Sequence, residues 1–164
     1  MAALIHSRKS ILFLVFTTFF ASSAASQDVL ALQVTPSETS SDIIEFSLEE
    51  LDAFEQVEFT TTTIWTDGET QFSGVSLRAL LENIDASGTT IEMVALNDYS
   101  VTMPISDLED SAPIIATRMD GSIMSVRDKG PFWVVFPYDS DPKYSTEVTF
   151  ARSIWQLNRL NVID

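Results

Sequence analysis

The chain predicts a mixed α/β domain, α+β-like in character, with one mixed sheet and short helices. Three observations lead there. Runs of apolar and β-branched residues recur at strand length, some alternating and some continuous. Helical spacing is confined to short stretches. No repeat or linker divides residues 27–164, a length that suits one domain with a sizeable core.

Residues 29–35, "VLALQVT", alternate and predict a strand, and "IIEFS" at 43–47 predicts a short one. Ser47 followed by Glu50 makes a capping box. Leu48, Leu51 and Phe54 then share one face, so a short helix is expected over 48–55. "VEFTTTTIW" at 57–65 is β-branched and predicts a strand, closed by a turn at "TDGE". In residues 74–84, Leu77, Leu80, Leu81 and Ile84 recur at helical spacing, with Ser76 as the cap. Residues 91–105 predict two strands around Asn97-Asp98-Tyr99. "SDLEDS" is a turn or short helix, and residues 113–124 are a strand with an Asp-Gly turn. "FWVVFPY" at 132–138 is continuously apolar, which predicts a central strand ended by Pro137. Residues 145–163 predict strands around a turn.

Residues 1–26 are set apart from the fold. A start with Arg8 and Lys9 leads into the apolar run "ILFLVFTTFFA", then the small residues "SSAAS". That order predicts a secretory signal peptide cut near Ser26, and export to the periplasm. The other reading of the same run is an uncleaved membrane anchor. Loss of Arg8 and Lys9 leaves 7 cations against 24 acids, a net charge of −17. Such a surface repels nucleic acid and anionic lipid.

The chain has no Cys, and its one His, His6, lies in the predicted signal. Soft metals need thiolate or imidazole ligands, so haem, zinc, copper and iron–sulfur sites are disfavoured and no metal ligand is assigned. Ser-His-Asp and Cys-His nucleophilic arrangements are excluded from residues 27–164. No catalytic residue is assigned.

Three segments place polar or aromatic groups beside strand ends: "TTTTIWTDGETQFSG", "ALNDYSV", and "VRDKGPFWVVFP" together with "FARSIWQL". Each has a plain structural reading. Trp65, Trp133 and Trp155 suit a core, Asn97-Asp98 suits a turn, and Arg127 with Lys129 suits a solvated loop.

Taken together, "GVSLRALL" at 74–81 with Phe72 before it, "ALNDY", "MDGSIMSVRDKGP" and "SIWQL" resemble the sulfite-oxidase-type molybdopterin-binding domain. The resemblance spans about residues 43–163. It implies that family's fold, and it also exposes departures. The family's molybdenum-binding Cys would fall near Thr61 to Thr63, where no thiolate exists. Its pterin-holding arginine would fall at Trp133, and a lysine of the family is here Arg152.

The strings "TIWTDG", "ALNDY", "RDKGPFWVVFP" and "RSIWQL" resemble more closely the small, Cys-free periplasmic pterin-binding regulators of that fold. This resemblance implies a reduced pterin as ligand, without metal. It implies a partner in the inner membrane whose cytoplasmic domains make and degrade cyclic di-GMP. A flat pterin suits aromatic planes, and its polar edge suits carboxylate, amide and cationic side chains. The expected planes are Trp65, Tyr99 and Trp133. The expected acceptors are Asp67, Asn97, Asp98 and Asp128, and the expected donors are Arg127, Lys129 and Arg152. Trp133 is expected to be a wall of the pocket. Arg152 is expected to reach the ligand from a neighbouring strand. Two other functions compete: a molybdopterin-dependent oxidoreductase, as the family's fold would suggest, and an adaptor that binds only protein.

Overall fold

Alternation along the chain resolves into one curled, ten-stranded mixed sheet in a computed structural model that describes residues 31–164. The strands are β1 (Leu32–Thr35), β2 (Ile44–Phe46), β3 (Gln56–Thr62), β4 (Glu69–Ser76), β5 (Thr90–Ala95), β6 (Ser100–Pro104), β7 (Ile114–Met119), β8 (Ser122–Ile123), β9 (Phe132–Val135) and β10 (Trp155–Ile163). Three short helices join them: α1 (Leu48–Asp52), α2 (Leu77–Asn83) and α3 (Glu147–Arg152). The expected fold class, mixed α/β in a single domain, matches this architecture. The signal-peptide segment lies outside the described residues.

β10 organises the sheet. Its first residues pair antiparallel with β9, Trp155 opposite Trp133 and Leu157 opposite Phe132. Its later residues pair parallel with β1, and its other edge pairs antiparallel with β5. The main order is β2-β1-β10-β9-β7-β4-β3, with β6 on β5 and β8 on β7. All four residues of β9 are buried. That is the pattern of a strand covered on both faces, and it sits inside the sheet as its continuous apolar run predicts.

Local chemistry sets the helix starts. At α1 the Ser47 hydroxyl accepts from the Glu50 amide, and the Glu50 carboxylate accepts from the Ser47 amide. At α2 the Ser76 hydroxyl accepts from the Ala79 amide. Asp120 and Gly121 both have positive φ, 49° and 73°, and turn β7 back into β8.

One strand is not anticipated, and one expectation needs correction. Residues 69–76 form β4, which the sequence leaves unassigned between the turn at 66–69 and the helix that follows its Ser76 cap. Gly74 lies inside that strand because a Cβ there would stand 2.0 Å from the Ile115 carbonyl oxygen of β7. Residues 147–152 form α3 instead of a strand. Thr146 caps it, its hydroxyl accepting from the Thr149 amide, and this cap outweighs the weak helix propensity of Val148, Thr149 and Phe150.

The β3 strand stops at Thr62 for an equally specific reason. The Asp139 carboxylate accepts from the Thr62 amide and from the hydroxyls of Thr61 and Thr62. This clamp takes the polar groups that another strand would otherwise pair. The Thr62 amide bond is the main cause that holds the Asp139 carboxyl below the ordinary aspartate range, followed by the Thr62 hydroxyl. The chain then turns through Ile64 and Trp65.

Candidate functional site

The turn after β3 puts Trp65 at the centre of an aromatic cluster. Its ring centroid lies 5.8 Å from Trp133, 5.7 Å from Trp155, 5.8 Å from Phe150 and 6.3 Å from Tyr138, all edge-to-face. Such pairs contribute about 0.5–1.5 kcal/mol each beyond area burial. They fix the indole in place without hydrogen bonds.

Beside this cluster lies a cavity of about 300 Å³. Trp65, Tyr99, Phe150 and Trp155 give it aromatic walls. Ala95, Ala151 and Ile154 leave room at its base, and Asn97, Ser153 and Gln156 supply its polar groups. No charged side chain lines it. Tyr99 is 56% exposed and Trp155 40% exposed, so the cavity opens to solvent along two flat rings.

Buried hydrogen bonds fix its back wall. The Tyr138 hydroxyl donates to Ser153 Oγ at 2.6 Å, and Ser153 Oγ donates to the Thr149 carbonyl at 2.8 Å. The Trp133 indole N–H donates to the Ser153 carbonyl at 3.2 Å. Ser153 is therefore saturated and serves as a joint between α3 and β9. Burial pushes the Tyr138 hydroxyl up to about 12, so it remains a neutral donor.

Gln156 forms the third wall through a bulge. The β10 register shifts there, and Gln156 has φ 53°. Its amide donates to the Lys129 carbonyl at 2.8 Å, its carbonyl accepts from the Leu96 amide at 2.9 Å, and its side-chain amide donates to the Val126 carbonyl at 2.7 Å. Two segments distant in sequence, the turn over 126–129 and Leu96 just after β5, thus converge on one residue. Across the mouth, the β5–β6 turn is held by Asn97, whose Oδ1 accepts from the Tyr99 amide at 3.1 Å.

Of the ten residues expected at the site, Trp65, Asn97 and Tyr99 line the cavity. Asp98 occupies the same turn with φ 63°, and its carboxylate accepts from the Arg159 guanidinium at 2.7 Å. Asp67 is exposed in the β3–β4 turn, outside the lining. Arg127 and Asp128 belong to a tight turn over 126–128, where Asp128 accepts from the Ser125 hydroxyl at 2.8 Å. Lys129 follows with φ 81°, and its ammonium lies 5.6 Å from the centroid of the Trp133 ring. The turn closes tightly, since a Cβ on Gly130 would stand 2.0 Å from the Met124 carbonyl.

Trp133 and Arg152 depart from expectation. Trp133 is fully buried, enclosed by Trp65, Phe72 and Trp155, so it offers no open face for stacking. It is the floor beneath the cluster and not a wall of the cavity. Arg152 is not on a strand. It ends α3, and its guanidinium donates to Asp107 at 3.0 Å. The expected convergence of Arg127, Lys129 and Arg152 is therefore absent from the lining. Seven lining residues were not assigned from the sequence, and Phe150, Trp155 and Gln156 are the largest contributors of aromatic face and polar edge among them. "SIWQL" held the last two in plain view, but nothing in its periodicity reveals the bulge.

Fold and site together define a curled mixed-sheet domain with an aromatic, uncharged cavity. The chain is similar in structure to the sulfane dehydrogenase SoxCD from Paracoccus pantotrophus, with a TM-score of 0.60 and 17% identity. The match covers 82% of this chain and 38% of that one, so this chain spans well under half of its neighbour's length. At that identity the likeness concerns the fold alone. No family model matches the chain, and no curated protein matches it.

A molybdenum centre does not fit these residues. The chain has no Cys to supply a thiolate. At Thr61 and Thr62, within the stretch 61–63 where the resemblance would put that thiolate, the hydroxyls and one amide are taken by Asp139. Among the described residues, no group of three or more His, Cys, Asp or Glu side chains could hold a metal ion.

Proposed function

We propose that this chain is a non-catalytic, exported pterin-binding protein that regulates an inner-membrane partner controlling cyclic di-GMP. The observation that carries the ligand reading is the cavity between Trp65, Tyr99, Phe150 and Trp155. Its volume, about 300 Å³, stands at the small end of ligand pockets and suits one flat bicyclic heterocycle. The half-exposed Trp155 and Tyr99 rings offer faces for stacking. The amide groups of Asn97 and Gln156 can meet the polar edge of a pterin. The regulatory part rests on the four strings that resemble the periplasmic regulators, and Trp65, Asn97, Tyr99 and Trp155 all fall within them.

Calorimetric titration of a reduced pterin under anaerobic conditions tests the ligand reading. We expect saturable binding of one equivalent, weakened by Trp155→Ala. Absence of binding, together with no pterin released on denaturing protein from the periplasm, would sink it and favour a protein-only adaptor. Deleting the gene should change cellular cyclic di-GMP only in cells that make pterin. An unchanged level in both backgrounds would remove the regulatory part.

The molybdopterin-type fold favours one second reading, a molybdopterin-dependent oxidoreductase relative. Stoichiometric molybdenum in the purified protein would support it. The absence of any Cys argues against it.

A further inference from the structure

The basic turn after β8 stands outside the cavity lining, and its charges set it apart from the rest of the chain. Arg78, Arg118, Lys143, Arg152 and Arg159 each lie 2.5 to 3.6 Å from a carboxylate oxygen. Among the described residues, the cations without such a partner are Arg127 and Lys129. Asp128 lies between them in sequence, but its carboxylate accepts from the Ser125 hydroxyl. Arg127 is exposed, and the Lys129 ammonium faces the Trp133 ring. In a chain of net charge −15, two cations without a carboxylate on one turn make a local positive spot. Apolar surface accompanies it. Ile123 is 60% exposed and Val126 39% exposed. The Val126 carbonyl accepts from the Gln156 side chain, which brings the turn beside Trp155. The turn is also held in shape, because the Asp128 and Gly130 amides both donate to the Ser125 carbonyl, at 2.9 and 2.8 Å.

We infer that this turn is a docking surface for a protein segment that carries acidic side chains flanked by apolar ones. The inference rests on the regulator reading above and adds to it the surface used and the chemistry of the segment that lands there. Arginine beside exposed apolar and aromatic side chains is the composition of interface hot spots. Charge at such a patch chooses the partner and its register. A basic segment is drawn to the acidic surface at large, whereas an acidic one finds its match at this turn. A second copy of the chain is a poor occupant, since two strongly acidic surfaces repel one another. A short acidic segment escapes most of that repulsion, because charges beyond about 10 Å are screened at ordinary ionic strength. A turn already held by its own hydrogen bonds loses little freedom on binding. It also shares a residue with the cavity: Gln156 lines the hollow, and its amide groups donate to the Val126 and Lys129 carbonyls.

The test titrates a synthetic peptide of repeated Glu-Glu-Leu into the isotope-labelled protein without pterin, followed by amide shifts in NMR. We expect the shifts to gather on residues 123–129 and the Trp155 indole, and the affinity to fall as salt rises. Arg127→Glu should weaken binding at least about tenfold, and Arg127→Gln by a smaller factor, both with the melting temperature of the wild type. Lys143→Glu makes the same change of charge away from the turn and should alter affinity less than about twofold. A peptide with Lys in place of Glu should leave the turn amides unmoved. No binding of the acidic peptide, shifts centred elsewhere, or wild-type affinity in Arg127→Glu overturns the inference. So does a dimer that Arg127→Glu dissolves, which would make a second copy the occupant. In cells lacking the gene, Arg127→Glu should fail to restore cyclic di-GMP control while its protein still binds pterin in calorimetry, and restored control also overturns the inference. If the wild-type gene itself leaves cyclic di-GMP unchanged, the regulator reading fails, and the peptide titration still decides the docking surface.

Discussion

Two hollows of similar size mark this surface, and they differ in what their side chains have left to offer. The first, about 300 Å³, lies among Trp65, Tyr99, Phe150 and Trp155. The second, about 370 Å³, lies between α2 and the segment after β6, lined by Arg78, Leu81, Glu82, Asp85, Ala86, Ile105 and Leu108. In the second, the Arg78 guanidinium donates to the Leu108 carbonyl and stands 3.6 Å from both Glu82 and Asp110. Most of the Arg78 charge is answered from within, although its Nε keeps no hydrogen-bond partner. In the first, Ser153 is satisfied from within, and broad aromatic faces remain open. Volume alone would rank the second ahead. Unused chemistry ranks the first ahead.

The sharpest way to break this comparison is to remove the floor of the first hollow. Trp133→Ala should destabilise the fold by about 3–5 kcal/mol, seen as a large fall in the denaturant midpoint. Trp133→Phe should recover much of that, short of the hydrogen bond to Ser153. A stable Trp133→Ala protein that merely loses ligand would restore the idea that this indole is a stacking wall.

Next in size is an alkaline transition. Burial raises the Tyr138 hydroxyl from its ordinary 10.0 to about 12. The folded pKa is the higher one, so its contribution is fully present below about pH 10. That contribution is lost as pH rises through about 12, a change of roughly 2–3 kcal/mol. Tyr138→Phe should flatten the stability profile in that window, read by urea unfolding at stepped pH. No tyrosine lines the second hollow, so an unchanged profile would separate this transition from the aromatic site.

Trp155→Ala should weaken pterin binding by about 0.5–1.5 kcal/mol, with little change in melting temperature because the ring is 40% exposed. A melting loss as large as that of Trp133→Ala would make Trp155 a core residue. The smallest effect is expected in the second hollow. Arg78→Met should leave pterin affinity unchanged and reduce stability by about 1 kcal/mol, chiefly through the lost bond to Leu108. A clear loss of binding there would reverse the ranking of the two sites.

Much of the fold was legible because it depends on neighbours in sequence. Ser47 with Glu50, Ser76 ahead of Leu77, Asp120-Gly121 and the apolar run of β9 each state their structure within a few residues. β4 was not legible, since "ETQFSGVS" has little apolar alternation and is held by pairing with β3 and β7 on either side. α3 was hidden by β-branched residues whose helix depends on one cap. The site was partly legible. Trp65, Asn97 and Tyr99 fall where the motifs suggested, on turns that local chemistry shapes. Phe150 and Gln156 come from a helix and a bulge that the sequence does not announce. For Trp133 and Arg152, position along the chain was known but not the face presented. That was decided by Phe72 and Trp65 closing over one and Asp107 capturing the other.

The crossing of edge-to-face rings at Trp65 has an optical consequence. The chain contains three tryptophans, and all three belong to this cluster, with centroids 5.7 to 6.4 Å apart. Their excited states are close enough to share energy, so intrinsic emission and the near-ultraviolet dichroism arise from a single neighbourhood. A molecule resting on Trp155 would darken the whole signal, whereas one lodged beside Arg78 would leave it untouched. The protein carries its own spectroscopic label at the aromatic site, and none at the other.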